Sequence, residues 1–190
     1  MPRLPYPTIE QLDDEARRCL EGVPSINLLR MLSHSGPVLA GFGAFGHRIL
    51  YSLDLDPVLR EMVIVRVGHL CRCAYELVQH ERFIAELGVP GAKIEALATG
   101  ASAPEFSEVE KAVLAFTDDV VVNVRASDAS LADLRRHLPA RQVIEVIMTA
   151  GCYRMLCMML ETTGVEIEEG GAAHSMSQDE WRARMPMTSG

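Results

Sequence analysis

Basic side chains are scarce in this sequence: 18 lysines and arginines stand against 26 aspartates and glutamates, which gives a formal net charge of −8 over 190 residues. Proteins that bind nucleic acid need clustered lysines and arginines against the phosphates, so this balance argues against a nucleic-acid partner. A small anionic substrate is compatible with the charge, because one local arginine can bind a carboxylate. We therefore expect a small-molecule partner.

Neither the cysteine spacing of a disulfide framework nor the apolar run of a secretory signal is visible in the sequence. The chain has five cysteines, an odd number, which favours a reducing compartment. Its first residues, MPRLPYPTIE, contain no apolar run, and we expect a cytoplasmic protein. The most apolar stretch, residues 143–160, carries Glu145 and Arg154, which a membrane span would hold only at high cost. We read it as a buried helix and expect no membrane partner.

Strand-like alternation of apolar and polar residues is not seen either, and aromatic residues make up only 5% of the chain. The hydrophobic content of 48%, mostly Ala, Val, Leu and Met, is typical of a compact helical protein. The sequence predicts an all-α fold, a single domain of about six to eight helices. Residues 1–25 form an arm and a first helix, residues 26–165 the helical core, and residues 166–190 a flexible or partner-wrapping tail.

The stretch DPVLREMVIVRVGHLCRCAYELVQHERFIAELG, residues 56–88, predicts one long helix. Asp56 is a favourable N-cap, Pro57 a favourable first residue and Gly88 a favourable stop. At about 100° per residue, most of its ionisable and polar groups fall within an arc of about 140°. This face is either an ordinary solvated surface or a functional site. Its members are Glu61, Arg66, His69, Arg72, Cys73, Glu76, Gln79 and His80.

Glu76 and His80 are the strongest pair on this face. One helical turn apart, the carboxylate can fix the imidazole tautomer and raise its basicity, which leaves the other nitrogen free to move a proton near neutral pH. The alternative is an ordinary surface pair. A zinc site formed by His69, Cys73, Glu76 and His80 is geometrically conceivable, but it lacks the usual C-x-x-C spacing, and we predict no metal there.

Cys71 and Cys73 form a C-x-C pair. On a continuous helix, residues two apart point about 200° from each other, so their sulfurs cannot meet or share one ion. Cys71 is therefore expected to be a small buried hydrophobe, and Cys152 and Cys157 are expected in the core.

A longer pattern runs through this part of the chain. It reads P-x-L-R-E at residues 57–61, Y-E-x-x-x-H at residues 75–80, then Gly-Val and a short helix, and later the helical stretch VIEVIMTAGCYRMLCMMLE. In order and spacing it resembles the carboxymuconolactone decarboxylase family, which also contains the AhpD-type alkylhydroperoxidases, over roughly residues 26–165. The resemblance implies an AhpD-like helical bundle that forms a homo-oligomer, commonly dimers assembled into trimers or hexamers.

The peroxidase branch of that family uses a glutamate, a C-x-x-C pair and a histidine. By resemblance, Glu61 matches the glutamate, Cys73 the first cysteine and His80 the histidine, while Glu76 occupies the place of the second cysteine. A carboxylate cannot form a disulfide with Cys73, so the usual peroxidase reaction lacks its resolving thiol on this face.

The decarboxylase branch is more similar here, because it has E-x-x-x-H where this chain has Glu76 and His80. It implies loss of CO₂ from a lactone or keto acid without metal or organic cofactor, through an enolate that must be stabilised and reprotonated. His80 is then the proton donor, Glu76 its orienter and Glu61 a proton relay. The candidates for substrate binding are Arg66, Arg72 and His69.

Three functions stay open. The first is a cofactor-independent lyase or isomerase, since the same groups would serve decarboxylation, enolisation, lactone opening or elimination. The second is an AhpD-like thiol hydroperoxidase, and the third a non-catalytic oligomeric binding module whose polar face is an interface. A residue from another helix, His47 or Tyr153, would complete the site, and the sequence does not choose between them.

Overall fold

The structure is a computed structural model that describes residues 1–21, 23, 25–169 and 182. These residues contain no strand, a short 3-10 turn at Ile9–Gln11 and nine α-helices, so the all-α prediction is confirmed. The number of helices exceeds the predicted range of six to eight by one, because the segment predicted as one central helix forms two helices. The helices are α1 (Asp14–Leu20), α2 (Asn27–Leu32), α3 (Gly36–Tyr51), α4 (Pro57–Cys71), α5 (Ala74–Glu86), α6 (Gly91–Ala96), α7 (Glu108–Asn123), α8 (Asp128–His137) and α9 (Ala140–Thr163).

The prediction of one continuous helix over residues 56–88 is wrong, because the chain breaks between α4 and α5. Arg72 adopts a left-handed conformation with φ of 55°, and the N–H of Cys73 then donates to the carbonyl of Gly68 at 2.9 Å. This closing bond satisfies a carbonyl at the end of α4 and offsets a left-handed cost of about 1–2 kcal/mol for a residue with a Cβ. Side chains before and after Arg72 therefore do not share one helical face.

The two outer ends of that stretch are confirmed. The Asp56 carboxylate accepts hydrogen bonds from the N–H groups of Val58 at 2.8 Å and Leu59 at 3.2 Å, as an N-cap should. α5 ends at Glu86, and Gly88 follows with φ of 85°. These ends are set by local chemistry that the sequence displays directly.

Gly68 permits close packing of α5 on α4. A Cβ added to Gly68 would lie 2.9 Å from Cδ2 and 3.2 Å from Cγ of Leu77, closer than van der Waals contact allows. Because glycine has no side chain, the two helices approach closely after the turn at Arg72. Groups on α4 and α5 are thereby brought within hydrogen-bonding distance of each other.

The chain divides into two compact units, residues 1–52 with 159–190, and residues 53–158. In the first unit, Asp13 accepts hydrogen bonds from the N–H of Ala16 at 2.7 Å and of Gly36 at 3.1 Å, and so joins the start of α1 to the start of α3. Most of the predicted tail, residues 166–190, lies outside the described residues.

α4 is the central helix of the second unit and packs against α5 and α7. Every residue from Arg60 to Gly68 is buried. Burial of each large apolar side chain there stabilises the fold by about 1.5–3 kcal/mol. Three charged residues share this burial, namely Arg60, Glu61 and Arg66. Since buried charges are stable in proteins only when they are paired, their partners define the polar interior of the unit.

Arg66 joins three segments of this unit. Its Nε and Nη2 atoms donate to the two carboxylate oxygens of Asp118 in α7 at 2.6 and 2.8 Å. Its Nη1 atom donates to the carbonyls of Leu97 at 3.0 Å and Ala98 at 2.8 Å, just after α6. Gly100, with φ of 82°, lies against the same guanidinium, and a Cβ there would be 2.7 Å from Arg66 Cζ.

α9 is attached to the start of α4 through Glu145, whose carboxylate accepts hydrogen bonds from the N–H groups of Asp54 at 3.2 Å and Leu55 at 2.7 Å. By length and composition alone α9 could cross a membrane, but this is weak evidence, because buried core helices meet the same test and 56% of its most apolar window is buried. The prediction that residues 143–160 form a buried helix is confirmed for one face of α9. The other face exposes Ile144, Ile147, Met148, Met155 and Met158.

Candidate functional site

A buried histidine between two glutamates forms the polar centre of the second unit. His80 of α5 places Nδ1 2.7 Å from Oε2 of Glu61 in α4, and Nε2 3.5 Å from Oε2 of Glu76 one turn back in α5. The exposed fractions of Glu61, Glu76 and His80 are 0%, 3% and 5%, so this imidazole lies in the protein interior and not in open solvent. Both ring nitrogens therefore face carboxylate oxygens away from water.

Glu61 is held as the anion of this network. Nε and Nη2 of the neighbouring Arg60 donate to its Oε1 at 3.1 and 2.9 Å, while Oε2 faces His80. Burial raises the pKa of Glu61, but the charges and hydrogen bonds of His80 and Arg60 outweigh burial, and the pKa lies below its usual value. The prediction placed Glu61 on a shared helical face. The structure instead brings it to His80 from a separate helix.

The pKa of Glu76 is displaced in the opposite direction from that of Glu61. Burial raises its pKa to about 7, the charge of His80 opposes that rise, and the nearby charge of Glu61 adds to it. Its Oε1 atom is buried and has no hydrogen-bond partner among the described residues. Glu76 is thus a carboxyl group that gains and loses a proton near neutral pH and keeps one oxygen available to a ligand.

Two aromatic rings enclose the imidazole. Tyr153 of α9 and Phe83 of α5 contact it edge-on, with ring centroids 4.8 and 5.2 Å away. Burial, with the charges of Glu76 and Glu61, raises the pKa of Tyr153 well above its usual value, so its hydroxyl keeps its proton. Of the two residues that the sequence left open, Tyr153 lies against His80. His47 instead lies 5.0 Å, ring to ring, from Tyr51 in the first unit.

The predicted substrate-binding residues lie apart from this network. Arg66 is fully engaged with Asp118 and two carbonyls, and it would have to leave them to bind a substrate carboxylate. Arg72 is exposed at the left-handed turn. His69 is half-buried, with Nε2 3.7 Å from Glu81 Oε1. Burial, and then the charge of Arg66, lower the pKa of His69.

Cysteine placement is the feature that the sequence reasoning missed. Because α4 ends at Cys71 and Cys73 caps the start of α5, the two side chains are not fixed on opposite sides of one helix. Both hydrogen-bond the thiol of Cys157 in α9, and these bonds, with burial, raise the pKa of Cys157. The charge of Glu76 acts on Cys157 in the same direction. Cys157 is therefore within electrostatic range of the Glu76 carboxyl group.

Metal binding finds no support in the described ranges, where no group of three or more His, Cys, Asp or Glu side chains is arranged to hold an ion. A cavity of about 530 Å³ lies among α7, α8 and α9, lined by Phe116, Leu131, Ile147 and Arg154 among others. None of its lining residues belongs to the Glu61–His80–Glu76 network, so this cavity is a separate feature.

Residues 37–119 match the model of the carboxymuconolactone decarboxylase family, and no curated protein matches the chain. The fold is similar to an uncharacterized peroxidase-related protein from Silicibacter sp. TM1040, with a TM-score of 0.75, 19% identity, and coverage of 97% of this chain and 96% of that one. An uncharacterized peroxidase-related protein from Ralstonia eutropha JMP134, described as an alkylhydroperoxidase AhpD core, gives a TM-score of 0.73 with the same identity and coverage.

The debrominase Bmp8, in a variant form in complex with 2,3,4-tribromopyrrole, is also similar, with a TM-score of 0.68, 14% identity, and coverage of 90% of this chain and 88% of that one. At these identities the similarities to solved structures show a shared fold.

Proposed function

We propose that this protein is an acid–base enzyme that acts without a cofactor on a small carboxylated lactone or keto acid. The match of residues 37–119 to the model of the carboxymuconolactone decarboxylase family and the AhpD-like fold support this proposal. One observation carries the proposal: His80 lies between two buried glutamates whose pKa values are displaced in opposite directions. Such a pair divides the roles of anion and proton donor between two carboxyls.

Glu61 takes the role of the permanent anion. Its contact of 2.7 Å with Nδ1 keeps a proton on that nitrogen and leaves Nε2 to accept or donate. Arg60 balances the buried negative charge of Glu61, so the arrangement persists without water. Glu61 is therefore an orienting group for the imidazole, as well as the relay that the sequence suggested.

Glu76 and His80 share the exchangeable proton. With a pKa of about 7, Glu76 can give or take a proton at neutral pH, and its Oε2 lies 3.5 Å from Nε2 of His80. The unpartnered Oε1 is the oxygen that a substrate group would meet. The orienter predicted at Glu76 thus becomes a second proton carrier.

In the proposed decarboxylation, the bond between the carboxylate carbon and its neighbouring carbon breaks. The electron pair passes into the adjacent carbonyl, and CO₂ leaves an enolate. A proton from the Glu76–His80 pair then reaches carbon, and solvent restores it. The rings of Phe83 and Tyr153 limit water at the imidazole, which strengthens electrostatic stabilisation of the enolate.

The test is a panel of lactones and β-keto acids, measured for CO₂ release and for isomerised products. His80→Gln and Glu76→Gln should each lower kcat by about 100-fold or more. His137→Gln is the matched control, because His137 is an exposed histidine at the end of α8. If both site variants retain full activity, ligand response and assembly, the network is not catalytic and the protein is better described as a binding module.

The alternative is an AhpD-like thiol hydroperoxidase, which would consume a thiol. Rapid loss of the Cys73 thiol on addition of peroxide, reversed by a dithiol, would favour that function. Glu76 in place of the second cysteine of the motif argues against the usual form of that reaction. This function would need a second thiol from elsewhere in the chain.

A further inference from the structure

The cavity of about 530 Å³ among α7, α8 and α9 has the properties of a small-molecule site. Each of the three helices contributes apolar side chains to its walls, among them Val121 of α7, Leu131 of α8 and Ile147 of α9. Sites for small molecules commonly measure about 300–1,000 Å³ and combine apolar walls with a few polar groups. The size and the walls of this cavity therefore suit a small ligand with an apolar body.

The charged residues of the lining determine which polar group such a ligand would carry. They are Arg125, Asp128 and Arg154. Nη2 of Arg125 lies 3.3 Å from Oδ1 of Asp128, so these two charges offset each other. Arg154 of α9 is half-buried, and its guanidinium has no hydrogen-bond or ion-pair partner in the part of the chain that the structure describes. The lining thus has one uncompensated positive charge.

A partly desolvated guanidinium without a counter-ion is unfavourable, because it loses hydration and gains no hydrogen bond in return. The residues one turn before and after Arg154 in α9 are Ala150 and Met158, and neither carries a charge. A ligand carboxylate would supply the missing partner, since its two oxygens can accept two parallel hydrogen bonds from one guanidinium. Charge complementarity therefore favours an anionic ligand.

Gly151 leaves one wall of the cavity open. It lines the cavity from the interior of α9, where glycine costs about 1 kcal/mol relative to alanine. Apart from its own neighbours along the helix, no described atom lies within 4 Å of a Cβ added to Gly151. Packing among the described residues therefore does not require glycine at this position. The absent side chain instead leaves space on the helix that carries Arg154.

Val124 is a strained apolar residue of the same lining. It follows α7 with φ of 66°, a left-handed conformation that is rare for a β-branched residue, and its exposed fraction is 78%. Such a conformation costs about 1–3 kcal/mol, and an exposed side chain recovers little of this cost by burial. A bound apolar ligand would give the Val124 side chain a contact that the chain itself does not provide.

We propose that this cavity binds a monocarboxylate with an apolar body, its carboxylate on Arg154 and its body against the aliphatic walls. The site is independent of the proposed acid–base function, because none of its lining residues belongs to the Glu61–His80–Glu76 network. It gives the protein a second ligand, of a different chemical class from the lactone or keto acid.

The experiment titrates the full chain with octanoate, octanol and octylamine by isothermal titration calorimetry. These probes share one alkyl chain and differ in the charge of the head group. We expect octanoate to bind with a Kd of about 0.1 mM or below, and octanol to bind about 10-fold or more weakly. Octylamine, which is cationic, should not bind. Equal affinities for octanoate and octanol, or no binding of octanoate, would overturn the proposal.

Four variants locate the site. Arg154→Gln should weaken octanoate binding about 10-fold and leave octanol binding unchanged. Arg135→Gln is the matched control at an exposed arginine of α8 outside the lining, and it should bind both probes as the wild type does. Gly151→Leu should fill the cavity and abolish binding of both. His80→Gln should bind octanoate with wild-type affinity, so failure of the acid–base proposal is distinguishable from failure of this one.

A second copy of the chain is the other candidate occupant, because Ile147 belongs both to the cavity lining and to the exposed apolar face of α9. Light scattering with and without saturating octanoate separates the two occupants. We expect the mass of the protein to stay the same when octanoate binds. A fall in mass on addition of octanoate would overturn the proposal and assign the cavity to a contact between subunits.

Discussion

Nδ1 of His80 and Oε2 of Glu61 lie 2.7 Å apart, although 19 residues of chain and a left-handed turn separate them. The bond joins α4 to α5 inside the protein. Since Glu61 also accepts from Arg60, one carboxylate connects an orienting charge to the candidate catalytic ring. The fold and the chemistry therefore depend on the same contact.

Substitution of Glu61 by glutamine should destabilise the protein. The amide keeps the shape but leaves Arg60 and His80 without a buried counter-charge, a loss of about 3 kcal/mol. Urea denaturation measures the change in the free energy of unfolding. Glu86→Gln, in the partly exposed pair with Arg82, is the control and should change it by less than about 1 kcal/mol. Equal effects of the two substitutions would refute the assignment.

Stability should fall as pH rises towards neutrality. The pKa of Glu76 rises from 4.5 to about 7 on folding, so the folded state holds a proton that the unfolded state releases. Its stabilisation is complete below pH 4.5 and is lost as pH passes 7, by about 3 kcal/mol in total. Denaturation curves between pH 4 and 8 should show this slope, and Glu76→Gln should remove it. An unchanged slope in that variant would count against the raised pKa.

Gly68→Ala should separate α4 from α5. The new Cβ would lie 2.9 Å from Leu77 Cδ2, and overpacking of this kind costs about 1–3 kcal/mol. Thermal denaturation would show the loss. Adding Leu77→Ala should recover part of it, since the clash is with that side chain. Strictly additive losses would show that the two residues do not meet.

Arg72→Gly should stabilise the protein. Glycine reaches positive φ without the Cβ clash that arginine has at 55°, a gain of about 0.5–1 kcal/mol after its larger unfolded-state entropy. Arg82→Gly, inside α5, is the matched control and should cost about 1 kcal/mol. Chemical denaturation measures the change in the free energy of unfolding for both variants. A loss of stability in Arg72→Gly would contradict the left-handed turn.

The exposed apolar face of α9 predicts self-association. Met155 and Ile147 have exposed fractions of 48% and 36%, and a second copy of the chain would bury them. In size-exclusion chromatography with light scattering, the wild-type protein should have the mass of an oligomer. The double variant with Ile147→Glu and Met155→Glu should have the mass of a monomer. Val38→Glu, at an exposed apolar residue of α3, should leave the mass unchanged. A monomeric wild type would end this prediction.

Local signals in the sequence were sufficient to predict much of the fold. Asp56 with Pro57 marks a helix start, and Gly88 a helix stop, because capping depends on neighbours along the chain. The identities of Glu61, Glu76 and His80 followed from a family-like pattern. The pairing of Glu76 with His80 followed from their spacing of one helical turn and is confirmed, whereas the position of Glu61 beside them was predicted for a wrong reason, because Glu61 lies in α4 and the other two in α5.

The turn at Arg72 has no sequence signal of its own. Neither glycine nor proline stands there, and the closing bond from Cys73 to Gly68 becomes favourable only when α5 packs back onto α4. The approach of Tyr153 and Cys157 to the site is likewise a product of tertiary packing. Periodicity along one segment carries no information about such contacts.

The hydrogen bonds of the Arg66 guanidinium have a dynamic consequence. This group is shared between Asp118 and the carbonyls of Leu97 and Ala98, and Gly100 leaves no space beside it. Amide protons around residues 97–100 should therefore exchange with deuterium only when α4 itself opens, rather than by local fraying. A segment fixed in this way cannot serve as a movable flap, and small molecules must enter and leave past some other part of the chain.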